Sequence, residues 1–217
     1  MINEKTKNLV MMSLFIAIIL LLAFTPIGFI QLGFIKATII HVPVIIGSLI
    51  LGPKIGAVLG FTFGIASLIS NTMAPVISSF VFSPAIPVPG TSGGSPLALI
   101  ICFIPRILVG VVPWYVYRLL QRVTKKEFSG VFFTVAGVAG SMTNTLLVMN
   151  LIYFLFKDAY AAVRGVEVQA VYSIIGGIIV VNGIPEALVA GVIAAAVCKA
   201  LNAVMPSRNN QPRHTGA

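Results

Sequence analysis

One arginine in the middle of an apolar run sets the chemistry of this sequence. Arg106 lies about eleven residues from either end of the stretch 95–117, SPLALIICFIPRILVGVVPWYVY. At ~1.5 Å rise per residue such a stretch crosses a bilayer, which puts Arg106 near the midplane. A guanidinium there costs at least ~2.5–3.5 kcal/mol on insertion scales, so a compensating partner is required. Two partners are possible. One is the acid Glu186, the other ionisable group deep in an apolar segment, which would make a structural ion pair. The other is an anionic ligand, because the planar fork of arginine donates two parallel hydrogen bonds to a carboxylate or phosphate. Pro105 and Pro185 immediately precede the two charges. Each proline lacks an N–H and so frees a backbone carbonyl, for use by a ligand or simply as a kink.

Other polar residues in apolar segments are sorted by depth. Asn144 and Asn182 fall near the midplane with Arg106, and Glu186 lies one turn from Asn182 on the same face. His41, Asn71, Thr72 and Asn150 lie toward the outer side. Arg106, Asn144, Asn150, His41, Asn71, Asn182 and Glu186 therefore form the candidate substrate-binding set, with asparagines suited to amide or hydroxyl groups. The plainer alternatives are helix–helix hydrogen bonds, worth ~0.6 kcal/mol each in a membrane, and an interfacial position for His41. Catalysis finds little support: there is no G-x-x-x-x-G-K-[ST] phosphate loop, no H-E-x-x-H and no aspartate in a span. No metal or cofactor site is expected, since Cys102 and Cys198 both lie in apolar spans without ligand spacing.

The elements that must position these groups are membrane helices. Hydrophobic residues make up 58% of the chain and charged residues 9%, against ~25% charged in soluble domains. Mean hydropathy is +1.06, which excludes a soluble globular class. The net charge of +9 falls in the gaps between apolar runs, so it reads as topology rather than nucleic-acid binding. Spans are expected at about 9–24, 38–51, 55–69, 95–117, 131–156 and 170–201. Segment 26–37 is too polar to cross and too apolar for a free loop, and is expected to pack at the outer interface. Segment 70–94 holds Pro75, Pro84, Pro87 and Pro89. Its length marks it as a lid rather than a simple connection. Gly56, Gly60 and Gly64 at four-residue spacing let a neighbouring helix approach closely.

With the N-terminus inside, ten basic residues fall on inner segments (Lys5, Lys7, Lys54, Arg118, Arg122, Lys125, Lys126, Lys199, Arg208, Arg213) and three on outer ones (Lys36, Lys157, Arg164). That imbalance follows the positive-inside rule. The expected fold is all-α integral membrane, with six transmembrane helices and both termini cytoplasmic. Residues 1–204 form one membrane domain and 205–217 a polar tail.

Six short spans, a long outer loop after the third and no energy module resemble the substrate-binding S components of energy-coupling factor (ECF) vitamin transporters. The string TPIGFIQLGFIKATIIHVPVIIGSLILGPKIGAVLGFTFGIASLISNT resembles the first half of that family's members. FVFSP, CFIPRILVGVVPWYVYRLL, GSMTNTLLVMN and NGIPEAL extend the likeness over nearly the whole chain, nearest to the pantothenate type. The resemblance implies a non-enzymatic subunit of the bacterial plasma membrane that captures a vitamin outside. It would associate with a transmembrane coupling protein and two cytoplasmic ATPases and topple to release its cargo. The family's A-x-x-x-A docking motif on the first span falls at Ser13 and Ala17, with serine for one alanine. Pantothenate offers a carboxylate for Arg106, an amide and hydroxyls for Asn144 and Asn150, and a dimethyl group for an apolar wall. Folate also carries carboxylates, whereas cationic thiamin fits poorly beside an unpaired arginine. A stand-alone secondary carrier and a membrane enzyme are the competing classes.

Overall fold

In a computed structural model, residues 3–25, 28–32, 35–124 and 130–204 are described. Helix α1 (Glu4–Phe24) starts where the Asn3 side chain accepts from the Lys5 amide at 3.2 Å, satisfying one of the first-turn N–H groups that a helix leaves unbonded. It stops at Thr25, extended as a residue before proline prefers. Strands β1 (Phe29–Leu32) and β2 (Ile35–Thr38) then pair antiparallel, Phe29 opposite Thr38 and Leu32 opposite Ile35. The bundle itself is helical, as expected; the segment read as an interfacial loop satisfies its backbone groups by pairing with itself.

Helix α2 (His41–Leu51) ends at Gly52, whose φ of 92° suits glycine, and Pro53 opens helix α3 (Pro53–Met73). Helix α3 runs a turn further than the sequence indicated, so Asn71 and Thr72 are helical. The expected fourth span is two helices, α4 (Leu97–Val109) and α5 (Val112–Thr124), broken at Gly110 and Val111 ahead of Pro113. The long helix α6 (Gly130–Arg164) departs from helical geometry at Phe156 (φ −140°, ψ 20°). The sixth span is composite: α7 (Val171–Ile178), a π-helical turn at Ile179–Gly183 and α8 (Ile184–Val204). Among the described residues, five helical segments are long and apolar enough to cross a membrane: 4–24, 53–73, 97–124, 130–164 and 168–201. The sixth, α2, is shorter. The tail 205–217 and basic residues Lys125 and Lys126 lie outside the described residues.

Close backbone approaches fix the register of these helices. A Cβ on Gly60 would collide with the Arg106 carbonyl, one on Gly56 with the Gly110 carbonyl, and one on Gly64 would press on the Phe103 ring. Rising numbers on α3 thus meet falling numbers on α4, so the two run antiparallel with Gly60 level with Arg106. Gly47 meets Leu59, Gly140 meets Pro113, and Gly137 meets Ala190 and Gly191, which makes α2–α3, α5–α6 and α6–α8 antiparallel too. Because apolar side chains gain little by leaving lipid for protein, such contacts between small residues dominate helix association in a bilayer. Leu14, Phe61, Phe154, Leu188 and Val192 stand exposed around the outside. That surface would be a liability in water and is ordinary against lipid.

Alternation of the helices gathers the hairpin, loop 74–96 and connection 165–170 at one end of the bundle. The loop is tied down there. Ser79 Oγ donates to Asn71 Oδ1 at 2.8 Å and accepts from the Val76 amide at 2.9 Å, while the Thr72 and Ser83 hydroxyls lie 2.7 Å apart. Phe80, only 1% exposed, inserts among Ile101, Val148, Ile152 and Ile175. Its ring stands edge-on to Phe156, at 5.9 Å, where α6 bends. The region expected as a lid is thus a packed cap rooted in its own hydrophobic cluster.

Candidate binding site

Arg106 is buried, at 6% exposure, on α4. Its Nη1 donates to the Ile101 carbonyl at 2.7 Å. That carbonyl lies four residues before Pro105, so it is the one whose normal helical donor the proline lacks. Nε is buried without a hydrogen-bond partner. The guanidinium carbon lies 4.9 Å from the Phe82 ring centroid and 5.6 Å from that of Phe63. Cation–π contact and one carbonyl thus lower the cost of burying this charge without neutralising it. No acid of the described residues pairs with it.

Glu186 has another partner. Its Oε1 accepts from the Thr38 amide at 2.9 Å, so this carboxylate holds the end of the hairpin. The structural ion pair with Arg106, an open alternative from sequence, is not formed. The π turn that carries Asn182 lies directly before Pro185 and packs against β2 and α6. A widened turn is what a missing i→i−4 donor permits, and π turns recur at functional sites.

Four further unpartnered groups lie on α2 and α6. Ile45 and Pro113 both meet Gly140. One turn on toward the cap, α2 presents His41 and α6 presents Asn144. Arg106 is level with Gly60, one turn toward the cap from Gly110, Gly56 and Ser48. His41 Nε2 and Asn144 Oδ1 are buried without hydrogen-bond partners, as are the hydroxyls of Ser48 and Ser141. Helices α2, α4 and α6 pack pairwise, so His41, Arg106 and Asn144 stand on neighbouring helices, while Ser48 lies two turns from His41, beside Gly56. Buried polar atoms of native proteins are nearly always bonded, and each exception calls for a reason; a polar ligand supplies one.

Two expected site residues are occupied otherwise. Asn71 donates to Ser67 O at 2.8 Å and accepts from Ser79, so both ends of its amide are engaged in rooting the cap. Asn150 Nδ2 donates to the Leu146 carbonyl of its own helix at 2.7 Å. Sequence reasoning missed Phe63 and Phe82, the aromatic faces on Arg106, and the orphaned Ser48 and Ser141. All four fall within the strings that carry the family resemblance, but nothing in those strings singled them out. Midway along α1, Ser13 and Ala17 stand on its exposed side, opposite buried Phe15, Ile19 and Leu22. The Ser13 hydroxyl returns to the Leu9 carbonyl at 2.9 Å, leaving a smooth surface of small residues.

Residues 7–198 match the family model for the ECF transporter substrate-specific component. The chain belongs to that family. This S component is therefore a multi-pass cell-membrane protein and the vitamin-binding subunit of its transporter. It is 37% identical over 167 residues to the pantothenic acid transporter PanT of Lactococcus lactis subsp. cremoris (strain MG1363), covering 77% of this chain and 76% of that protein. The family match agrees with the long apolar helices.

Proposed function

We propose that this S component captures pantothenate, with Arg106 as the seat of its carboxylate. The observation that carries the reading is the unneutralised guanidinium: Arg106 is buried, stacked on Phe63 and Phe82, and keeps an unpartnered Nε. The relative named as a pantothenic acid transporter supports this choice among carboxylate vitamins. Asn144 and His41 would read the amide and hydroxyls, with Asn182 and the remaining Oδ1 of Asn150 further along. Glu186 and Asn71 act indirectly, holding the hairpin and the cap over the ligand.

The cap end faces outside in this reading and both termini lie in the cytoplasm, supported by the ten-to-three distribution of basic residues. Residues 1–204 act as one membrane unit with 205–217 as a tail. The protein works without catalysis of its own. A transmembrane coupling protein, docking on the Ser13–Ala17 face, would energise release together with two cytoplasmic ATPases. Mass spectrometry of the small molecule that co-purifies with the protein, followed by titration with pantothenate in detergent without ATP, tests the reading. Saturable one-to-one binding is expected. Co-purification of a different vitamin, with no competition by pantothenate, would overturn it.

A further inference from the structure

We infer that Pro105 is a positioning residue that aims the guanidinium of Arg106, and that it thereby sets the preference for an anionic over a neutral ligand. The inference rests on Arg106 as the carboxylate seat. In an uninterrupted helix the Ile101 carbonyl accepts from the amide of residue 105. Pro105 has no amide N–H and lies inside α4, so this buried carbonyl needs another donor. Arg106 Nη1 fills that place at 2.7 Å. The side chain curls back along its own helix, and one corner of the guanidinium is fixed.

What remains is the edge formed by Nε and Nη2. Nε is buried and unpartnered, and Nη2 makes no hydrogen bond among the described residues. Those two nitrogens present parallel N–H groups, the geometry that accepts both oxygens of a carboxylate. Phe82 and Phe63 flank the group, restricting its swing. A proline one residue before the charge thus does two things. It creates the acceptor that anchors one nitrogen, and it leaves the bidentate edge free.

The test compares pantothenate with pantothenol, in which a neutral alcohol replaces the carboxylate, on the full-length protein in detergent. Wild type is expected to hold pantothenate at least about a hundredfold more tightly, the scale of a buried charge-assisted pair. Pro105→Ala restores the amide that competes for Ile101 O. It should weaken pantothenate by about tenfold or more while pantothenol changes less than about twofold. Replacing residue 105 by the α-hydroxy acid counterpart of alanine puts an ester in place of the amide. That variant lacks the ring but also lacks the N–H, and should recover wild-type discrimination. The ester variant decides the matter if Pro105→Ala does not fold. Loss of discrimination in the ester variant, or an equal loss of both ligands in Pro105→Ala, means that proline acts through shape alone and overturns the inference. Full discrimination in Pro105→Ala also overturns it, with the anion seat intact. A wild type that binds both ligands equally would remove the anion seat itself.

Discussion

The chain contains the same device twice, a proline directly before a charge in an apolar span, and the two copies end differently. At Pro105–Arg106 the helix stays in register and the charge itself takes the carbonyl that the proline abandoned. At Pro185–Glu186 the preceding turn widens to π geometry, and the charge reaches out of its helix to the Thr38 amide of the hairpin. Donor and acceptor chemistry explains the split. A guanidinium has only donors and can satisfy a freed carbonyl, whereas a carboxylate has only acceptors and cannot. The arginine is therefore turned inward, with part of its fork left over. The glutamate must find an N–H elsewhere, and a strand end supplies one. One copy makes a ligand seat and the other a fastening.

The largest break in this comparison is Arg106→Leu. It removes the seat and leaves only the apolar stem. Pantothenate affinity should fall more than about a hundredfold, the several kcal/mol of a buried charge-assisted contact. Expression and thermal stability should hold, because no acid is stranded by the change and Ile101 O alone loses a partner. Unfolding of both Arg106→Leu and Glu186→Gln in a thermal-shift assay would mark the two charges as jointly structural instead.

Glu186→Ala should have a smaller effect and act at a distance. It removes one charge-assisted bond to the Thr38 amide, worth ~1.5 kcal/mol or about tenfold. Loosened attachment of the hairpin should appear as faster pantothenate dissociation with association nearly unchanged. Glu186→Gln keeps an acceptor oxygen and should recover most of the loss. A glutamine variant as impaired as the alanine one would mean that the negative charge, not the acceptor, is in use.

Pro185→Ala probes the π turn. With an amide restored at 185, residues 179–183 can close to ordinary α-helix, which rotates Asn182 relative to Glu186. Affinity should fall only about threefold, or ~0.6 kcal/mol, the mean for one interhelical polar contact in a membrane. A loss as large as that of Arg106→Leu would promote Asn182 to a principal ligand group.

How much of this could be read beforehand follows the range of each interaction. Arg106 was legible because a charge in an apolar run is anomalous on its own, and the Gly56–Gly60–Gly64 stripe because its spacing is local. The six apolar segments were legible for the same reason. The partner of Glu186 was not: it lies 148 residues away, on a hairpin whose four-residue strands give too short a pattern to distinguish from an interfacial loop. Phe82 was hidden likewise, since it reaches Arg106 only after the loop packs through Phe80. Asn71 looked like a ligand group because its depth was right. Its bond from Ser79 depends on a turn at 76–79 that no spacing rule announces.

The smallest expected effect on affinity comes from the far side of the molecule, and it tests whether the two proline–charge devices serve binding alone. Ser13 and Ala17 lie one turn apart on the exposed side of α1, a face turned away from the helices that carry both devices. Small residues at this spacing let a partner helix approach to backbone distance. The adjoining exposed residues Val10, Leu14 and Leu21 would pack beside it. Ala17→Trp fills that surface without touching α4 or the hairpin, so pantothenate affinity of the isolated subunit should stay within about twofold of wild type, under ~0.5 kcal/mol. Uptake of labelled pantothenate by cells carrying the coupling and ATPase subunits should nevertheless drop to background. Normal uptake would show that α1 faces lipid throughout the cycle and that the coupling partner docks elsewhere. Reduced affinity in the isolated subunit would instead tie α1 to the ligand end, through Leu22 where its carbonyl meets Gly28 at the start of the hairpin.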